Sequence, residues 1–169
     1  MPDTVSESTS VLLMSPGRVH RSLNRMAYQI TEDNRDDANI LLLGLKKRGF
    51  TVAQLLAERL QTLSNKKVEV QQFIPGEDSL DHCNEDFSYV ILVDDVIFSG
   101  RTMLNALQHL VHGGSGTIRT AVLVDRGHRS VPVEASFAGL ELPTKLNEHV
   151  HVETAEALVI KVVLNYSSH

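Results

Sequence analysis

The run Val90-Ile-Leu-Val-Asp-Asp-Val-Ile-Phe-Ser-Gly-Arg-Thr102 sets two adjacent carboxylates, Asp94 and Asp95, between an apolar stretch and a turn of small residues. Ser99, Gly100, Arg101 and Thr102 fall where a helix should begin. Backbone N–H groups without helical acceptors, two hydroxyls and the positive end of the helix dipole can there hold a phosphate dianion. Asp94 and Asp95 would face a neighbouring polyol as acceptors for its hydroxyls, and their negative potential favours a Mg²⁺ complex of the ligand. A phosphate cradle beside a hydroxyl-reading acidic pair is a site for a phosphorylated sugar. Acids at a strand end and a serine cap are also ordinary structural features, so the specificity lies in the full thirteen-residue pattern.

A buried strand must deliver the acids and a helix must receive the phosphate. Val90 to Val93 has the continuous apolar character of a strand covered on both faces, as do Ile40-Leu41-Leu42-Leu43, closed by Gly44, and Ala121 to Val124. Between them run helical stripes: Val52, Leu55, Leu56, Leu60 and Leu63, then Met103, Ala106, Leu107, Leu110 and Val111. An earlier stripe of Val19, Leu23, Met26, Ala27 and Ile30 follows Ser15-Pro16, predicting a helix from 16 to about 33. Alternating buried strands and amphipathic helices predict an α/β fold with a central parallel sheet flanked by helices. Lys67 to Phe73, His149 to Glu153 and Leu158 to Leu164 are further strand candidates, and residues 1–14 read as a flexible polar tail before a single domain over 15–169. Ligands of such sheets gather at the carboxyl ends of the strands. That singles out Gly44 to Gly49, Asp94 to Thr102 and Asp125 to Pro132.

The chain has 169 residues, 42% of them hydrophobic, which suffices for a core without structural metal. Its one cysteine, Cys83, excludes an internal disulfide. Nothing near Met1 has the character of an export signal and no run approaches the ~18 apolar residues of a membrane span, so a cytoplasmic protein with no membrane partner is expected. The net charge of −5 is unevenly spread: residues 16–67 carry +5, whereas 68–100 carry −8 with no lysine or arginine. His149 with His151, and His109 with His112, share a strand or helix face, but no matching pair completes a tetrahedral metal site. A receiver-like phosphorylation domain also pairs acids at strand ends, yet it would leave the glycine-serine turn unexplained.

The thirteen-residue pattern resembles the phosphoribosyl-pyrophosphate (PRPP) signature of type I phosphoribosyltransferases. Arg25-Met-Ala-Tyr-Gln-Ile30, Gly44-Leu-Lys-Lys-Arg-Gly49 with Leu56-Ala-Glu-Arg-Leu60, Ala121-Val-Leu-Val-Asp-Arg-Gly-His-Arg129 and Leu142-Pro-Thr144 are similar, in order, to the PyrR family. That family comprises bifunctional uracil phosphoribosyltransferases that also regulate pyrimidine operons by attenuation. The resemblance implies a type I phosphoribosyltransferase fold with a small C-terminal hood. It implies transfer of the phosphoribosyl group to uracil, giving UMP and diphosphate, with Mg²⁺ carried by the donor and no direct metal ligands. Lys46, Lys47, Arg48 and Gly49 match the pyrophosphate loop, and Asp94 and Asp95 the catalytic pair that binds the ribose hydroxyls. Phe98, Ser99, Gly100, Arg101 and Thr102 match the 5′-phosphate loop, and Asp125, Arg126, Gly127 and His128 the base pocket. Purine-type relatives carry a carboxylate where Phe98 stands, which points to a pyrimidine.

Expected partners are PRPP, uracil or uridine nucleotides, and further copies of the chain in a dimer or larger homo-oligomer. The other function the resemblance allows is a nucleotide-responsive, RNA-binding regulator of pyrimidine genes with little or no enzyme activity. Arg18, Arg21 and Arg25, on the helix face opposite the apolar stripe, would serve it. One departure bears on turnover. Family members close a long hairpin bearing a Tyr-Arg-Asp element over the donor; here Gln71 to Ser88 is shorter, acidic and lacks that element. Reduced turnover is the expected result.

Overall fold

The computed structural model describes residues 10–78, 87–112, 116–155 and 159–166. Among these, eight strands and three helices follow in the order β1 (Ser10–Met14), α1 (Pro16–Asp33), β2 (Ile40–Leu45), α2 (Lys46–Leu63), β3 (Val68–Phe73), β4 (Tyr89–Ile97), α3 (Arg101–His112), β5 (Thr117–Asp125), β6 (Phe137–Glu141), β7 (Glu148–Ala155) and β8 (Val159–Tyr166). Five strands form a parallel sheet in the order β3-β2-β4-β5-β6.

Strand period 2 explains why β2 is apolar at every position. Ile40 and Leu42 join the core beneath α1 and α2, whereas Leu41, Leu43 and Leu45 join the opposite core beneath α3. β4 divides in the same way, with Ile91 and Val93 on one side and Val90 and Leu92 on the other. Each such side chain, taken fully out of water, contributes roughly 1.5–3 kcal/mol. α1 starts as expected: Ser15 Oγ accepts from Arg18 N at 3.3 Å and Pro16 occupies the first turn. Its stripe of Val19, Leu23, Met26, Ala27 and Ile30 is buried.

The hood is a separate antiparallel sheet in the order β1-β8-β7. Residues 10–14 are therefore not tail: Ser10 pairs with Asn165 and Leu12 with Val163, and Met14 is fully buried. The local pattern hides this because Met14 alone of the five is buried, and the partner strand lies far along the chain. Residues 1–9 fall outside the described residues. β6 is a second strand that the sequence does not announce, because Phe-Ala-Gly-Leu-Glu has little β propensity. Gly139 is required there, since a Cβ would lie 2.6 Å from the Leu123 carbonyl oxygen. No described helix is long and apolar enough to cross a membrane.

Candidate active site

β2 sits between β3 and β4, with α2, which follows β2, packed on one face of the sheet and α3, which follows β4, on the other, so a crevice opens at the carboxyl ends of β2 and β4. The registers make the gap. Pairing of β2 with β4 ends at Gly44 opposite Val93, whereas pairing of β4 with β5 continues to Ile97 opposite Asp125. Asp94 and Asp95 thus lie within the overhanging part of β4, with no strand on the β2 side.

The first turn of α2 fills the space beside them. The expected pyrophosphate loop is in fact this helical turn: α2 begins at Lys46, whose φ of 53° lies in the left-handed region. Two glycines let the turn reach the sheet. A Cβ on Gly44 would stand 2.3 Å from Phe50 Cα, and one on Gly49 would stand 2.6 Å from the Val93 carbonyl oxygen and 3.3 Å from Asp94 Oδ1. Gly49 is therefore a packing residue as well as a member of the turn.

Lys46, Lys47, Arg48, Asp94, Asp95, Thr102 and Leu45 line one cavity of about 370 Å³. The candidate pyrophosphate residues, the acidic pair and one residue of the candidate phosphate loop are thereby brought together. Three cations crowd the positive end of a helix dipole whose first turn holds no acidic residue. That arrangement is unfavourable by itself and is relieved by a bound polyanion. Across the cavity, Asp94 Oδ1 accepts from Asp95 N at 2.9 Å. Burial first, and then the neighbouring Asp95 charge, push Asp94 up to about 8; Lys46 pulls it back in part.

The chemistry of this donor set fits Mg²⁺ only as part of a ligand complex. Among the described residues no group of three or more His, Cys, Asp or Glu side chains could hold a metal. Two carboxylates leave most of an octahedral shell to water and substrate phosphates.

On the other side of β4, α3 begins at Arg101, with Gly100 at φ 81° and Ser99 Oγ accepting from Arg101 N at 3.4 Å. The first-turn N–H groups of α3 are the donors available to a phosphate. Ser99 is held in turn, its carbonyl accepting from Ser130 N at 3.0 Å, while Arg101 Nε donates to Ser130 Oγ at 3.2 Å.

The candidate base-pocket residues are arranged differently from expectation. Arg126 is buried: its Nε donates to Thr144 Oγ1 at 2.7 Å, and a terminal nitrogen donates to the Glu148 carbonyl at the start of β7. Burial lowers it below the usual arginine range. Its guanidinium lies 4.3 Å over the Phe98 ring, and the His128 ring is 5.7 Å from Phe98 on centroids. His128 Nε2 also contacts the Thr144 carbonyl. Phe98, matched to the phosphate loop, thus packs against two of the candidate base-pocket residues, and Arg126 ties the hood to it. Both Asp125 oxygens are committed: Oδ1 accepts from Gly127 N at 2.8 Å and Oδ2 from Arg129 at 2.7 Å.

Arg129 is the residue that the sequence does not reveal as part of the site. It donates to the carbonyls of Phe98 at 3.0 Å, Gly127 at 2.9 Å and Val133 at 2.7 Å, besides its pair with Asp125. One side chain therefore joins the candidate phosphate and base loops. Arg129→Met should lower stability by about 1–3 kcal/mol, because it strands the Asp125 carboxylate and three carbonyls. It should also raise KM for the phosphoribosyl donor more than it lowers kcat, as steady-state kinetics with thermal melts will show.

The basic face of α1 is largely committed to structure. Arg25 donates to the carbonyls of Ala138 at 2.9 Å and Gly139 at 2.8 Å, tying α1 to β6, and Arg18 donates to the Leu13 carbonyl at 2.9 Å. Arg21 is exposed. The three do not form an unengaged cationic strip.

A switch-point crevice with a cationic helix start, an acidic pair and a second helix N-terminus defines a type I phosphoribosyltransferase. The phosphoribosyl transferase domain family matches residues 16–157. Solved structures agree on the fold. The HGPRT-ase of Leishmania tarentolae in complex with GMP superposes with a TM-score of 0.75 at 19% identity, covering 99% of this chain and 100% of that one. A hypoxanthine-guanine phosphoribosyltransferase from Bacillus anthracis gives 0.70 at 19% identity, covering 93% and 98%. Among curated sequences, the bifunctional protein PyrR of Brevibacillus brevis is 38% identical over 168 residues, covering 90% of this chain and 94% of that one. That of Streptococcus pneumoniae is 39% identical over 149 residues, covering 82% and 86%. The chain belongs to the PyrR family.

Proposed function

We propose that this protein transfers the phosphoribosyl group of PRPP to uracil, releasing diphosphate and forming UMP. The observation that carries this reading is the cavity in which Lys46, Lys47 and Arg48 face Asp94 and Asp95 across the β2–β4 switch point. A ring nitrogen of uracil forms a bond to the anomeric carbon as the carbon–oxygen bond to pyrophosphate breaks. The bonding pair leaves on pyrophosphate, and the ring proton is released. Positive charge develops on the sugar, so binding the leaving group and excluding water matter more than a strong base.

Each part of the site has a task in that step. The cations and free N–H groups of the first turn of α2 stabilise the leaving pyrophosphate, and the start of α3 anchors the 5′-phosphate. Asp94 and Asp95 accept the ribose hydroxyls and would border Mg²⁺ brought by the donor, which neutralises phosphate charge when bound. The Phe98 face, backed by Arg126 and His128, is an apolar surface for a pyrimidine ring without a carboxylate to select a purine.

The test is a product assay with PRPP, Mg²⁺ and uracil, hypoxanthine or guanine in turn. UMP should form and purine nucleotides should not; purine transfer, or no transfer at all, would overturn the proposal. The acidic stretch from Val68 to Gly100 brings no cation to the leaving group, although its residues 79–86 lie outside the described part. Loss of one such contact costs roughly 10²- to 10³-fold, so kcat should fall near ~0.01–0.1 s⁻¹ against a typical ~10 s⁻¹.

A further inference from the structure

A second cavity lies between α1, α2 and β8. It measures about 170 Å³ and is lined by Pro16, Val19, Leu23, Leu55 and Ile160 together with His20 and Arg59. Arg59 follows Arg48 on the same helix by eleven residues, roughly 16 Å along its axis, so this cavity is separate from the crevice at the start of α2.

Arg59 is unusual for a half-buried cation. One terminal nitrogen donates to the Leu55 carbonyl, one turn back on the helix, and the other to His20 Nδ1 at 2.6 Å. Neither partner is a carboxylate. The buried Nε has no partner, and among the described residues no carboxylate forms an ion pair with Arg59. Burial lowers Arg59 from the usual arginine range. Buried charges are ordinarily paired, and a guanidinium is built to take a carboxylate through two parallel N–H groups.

We propose that this cavity binds a small carboxylate with an aliphatic body, its oxygens on Arg59 and its chain against Val19, Leu23, Leu55 and Ile160. The volume lies below the roughly 300 Å³ at which sites for drug-sized molecules begin, so the ligand has few non-hydrogen atoms. The apolar wall favours a four- or five-carbon acid over acetate, and disfavours inorganic phosphate, whose hydration it cannot replace. Because Ile160 belongs to the hood and Leu55 to α2, such a ligand joins the hood to the helix that starts the candidate active site.

Calorimetric titration of the full chain with acetate, butyrate, isovalerate, butylammonium and inorganic phosphate tests the proposal. Butyrate or isovalerate should bind at least tenfold more tightly than acetate, with no saturable heat from butylammonium, and any phosphate heat, which belongs to the crevice at the start of α2, should be unchanged in Arg59→Met. Arg59→Met should weaken butyrate at least tenfold, while Arg48→Met should leave it unchanged. Should Arg59→Met fail to fold, the unaltered chain still reports: the His20 ring resonance, assigned with His20→Gln, should shift on butyrate addition. A flat chain-length series, a phosphate heat lost in Arg59→Met, loss of butyrate binding in Arg48→Met rather than Arg59→Met, or an unmoved His20 resonance would each overturn the proposal. So would dissociation of an oligomer by butyrate, which would assign the cavity to a second copy.

Discussion

Asp94→Asn should yield a protein that melts higher than the unaltered chain and transfers about 10²- to 10³-fold more slowly. Both effects follow from where the carboxylate sits. Asn keeps an oxygen for Asp95 N, which lies 2.9 Å from Asp94 Oδ1 in the unaltered chain, so the local fold persists. The variant no longer supplies a charged acceptor for the ribose hydroxyls. The stability effect has a definite sign. Folding moves Asp94 from an ordinary 3.8 up to about 8, through burial and then the Asp95 charge. Between those values the folded chain binds more protons than the unfolded chain, so stability falls as pH rises from about 4 to 8. Asn has no proton to hold and escapes that fall. Its advantage should be near zero at pH 4 and on the order of 2 kcal/mol at pH 8, less than the full shift implies because the cavity is open to water.

The same shift predicts a proton released on binding. Near pH 7 the unliganded pair holds a proton that a Mg²⁺–PRPP complex must displace if it uses both carboxylates. Titrations in buffers of different ionisation enthalpy should register release of up to about one proton below pH 8. That release should disappear in Asp94→Asn. Donor binding with no proton linkage would show that Asp94 is not a ligand to the sugar.

Gly49→Ala should nearly abolish donor binding without changing any charge. The added methyl would stand 2.6 Å from the Val93 carbonyl oxygen and 3.2 Å from Asp94 Cα, both backbone atoms of a buried strand, so the α2 turn must move instead. Overpacking of this kind costs about 1–3 kcal/mol. Displacing Lys46, Lys47 and Arg48 together by even an ångström should cost about 10²-fold in transfer. Gly17→Ala is the matched helical control, since its methyl would meet only Arg21 Nη1, at 3.6 Å. Donor affinity from calorimetry and melting temperature together separate overpacking from a general glycine effect: Gly49→Ala should lose affinity well beyond any loss shown by Gly17→Ala.

Much of this architecture is legible in residue order, because burial on both faces leaves an unmistakable apolar run. β2, β4 and β5 are such runs, and α1 begins and ends where its proline and stripe predict. What the order of residues does not carry is side-chain direction. Arg126 and Asp125 have the types expected of base recognition, yet their polar atoms are engaged by Thr144, Glu148, Gly127 and Arg129. Arg129 stands within the same motif but acts by spanning two loops, a relation fixed only when β4 and β5 lie side by side. Likewise the acids at 94 and 95 announce chemistry, whereas the helical nature of Lys46 to Gly49 depends on the missing Cβ atoms at Gly44 and Gly49.

The pairing of β1 with β8 matters most during synthesis. A ribosome makes Val11 and Leu12 roughly 150 residues before their partners Leu164 and Val163. At about 5–20 residues per second this apolar strand waits on the order of ten to thirty seconds. β2 through β6, with the acidic pair and both candidate phosphate-binding helix starts, are made in that interval. The central sheet can therefore close as an early unit, and the hood joins it last, when the final strand completes a sheet begun by the first.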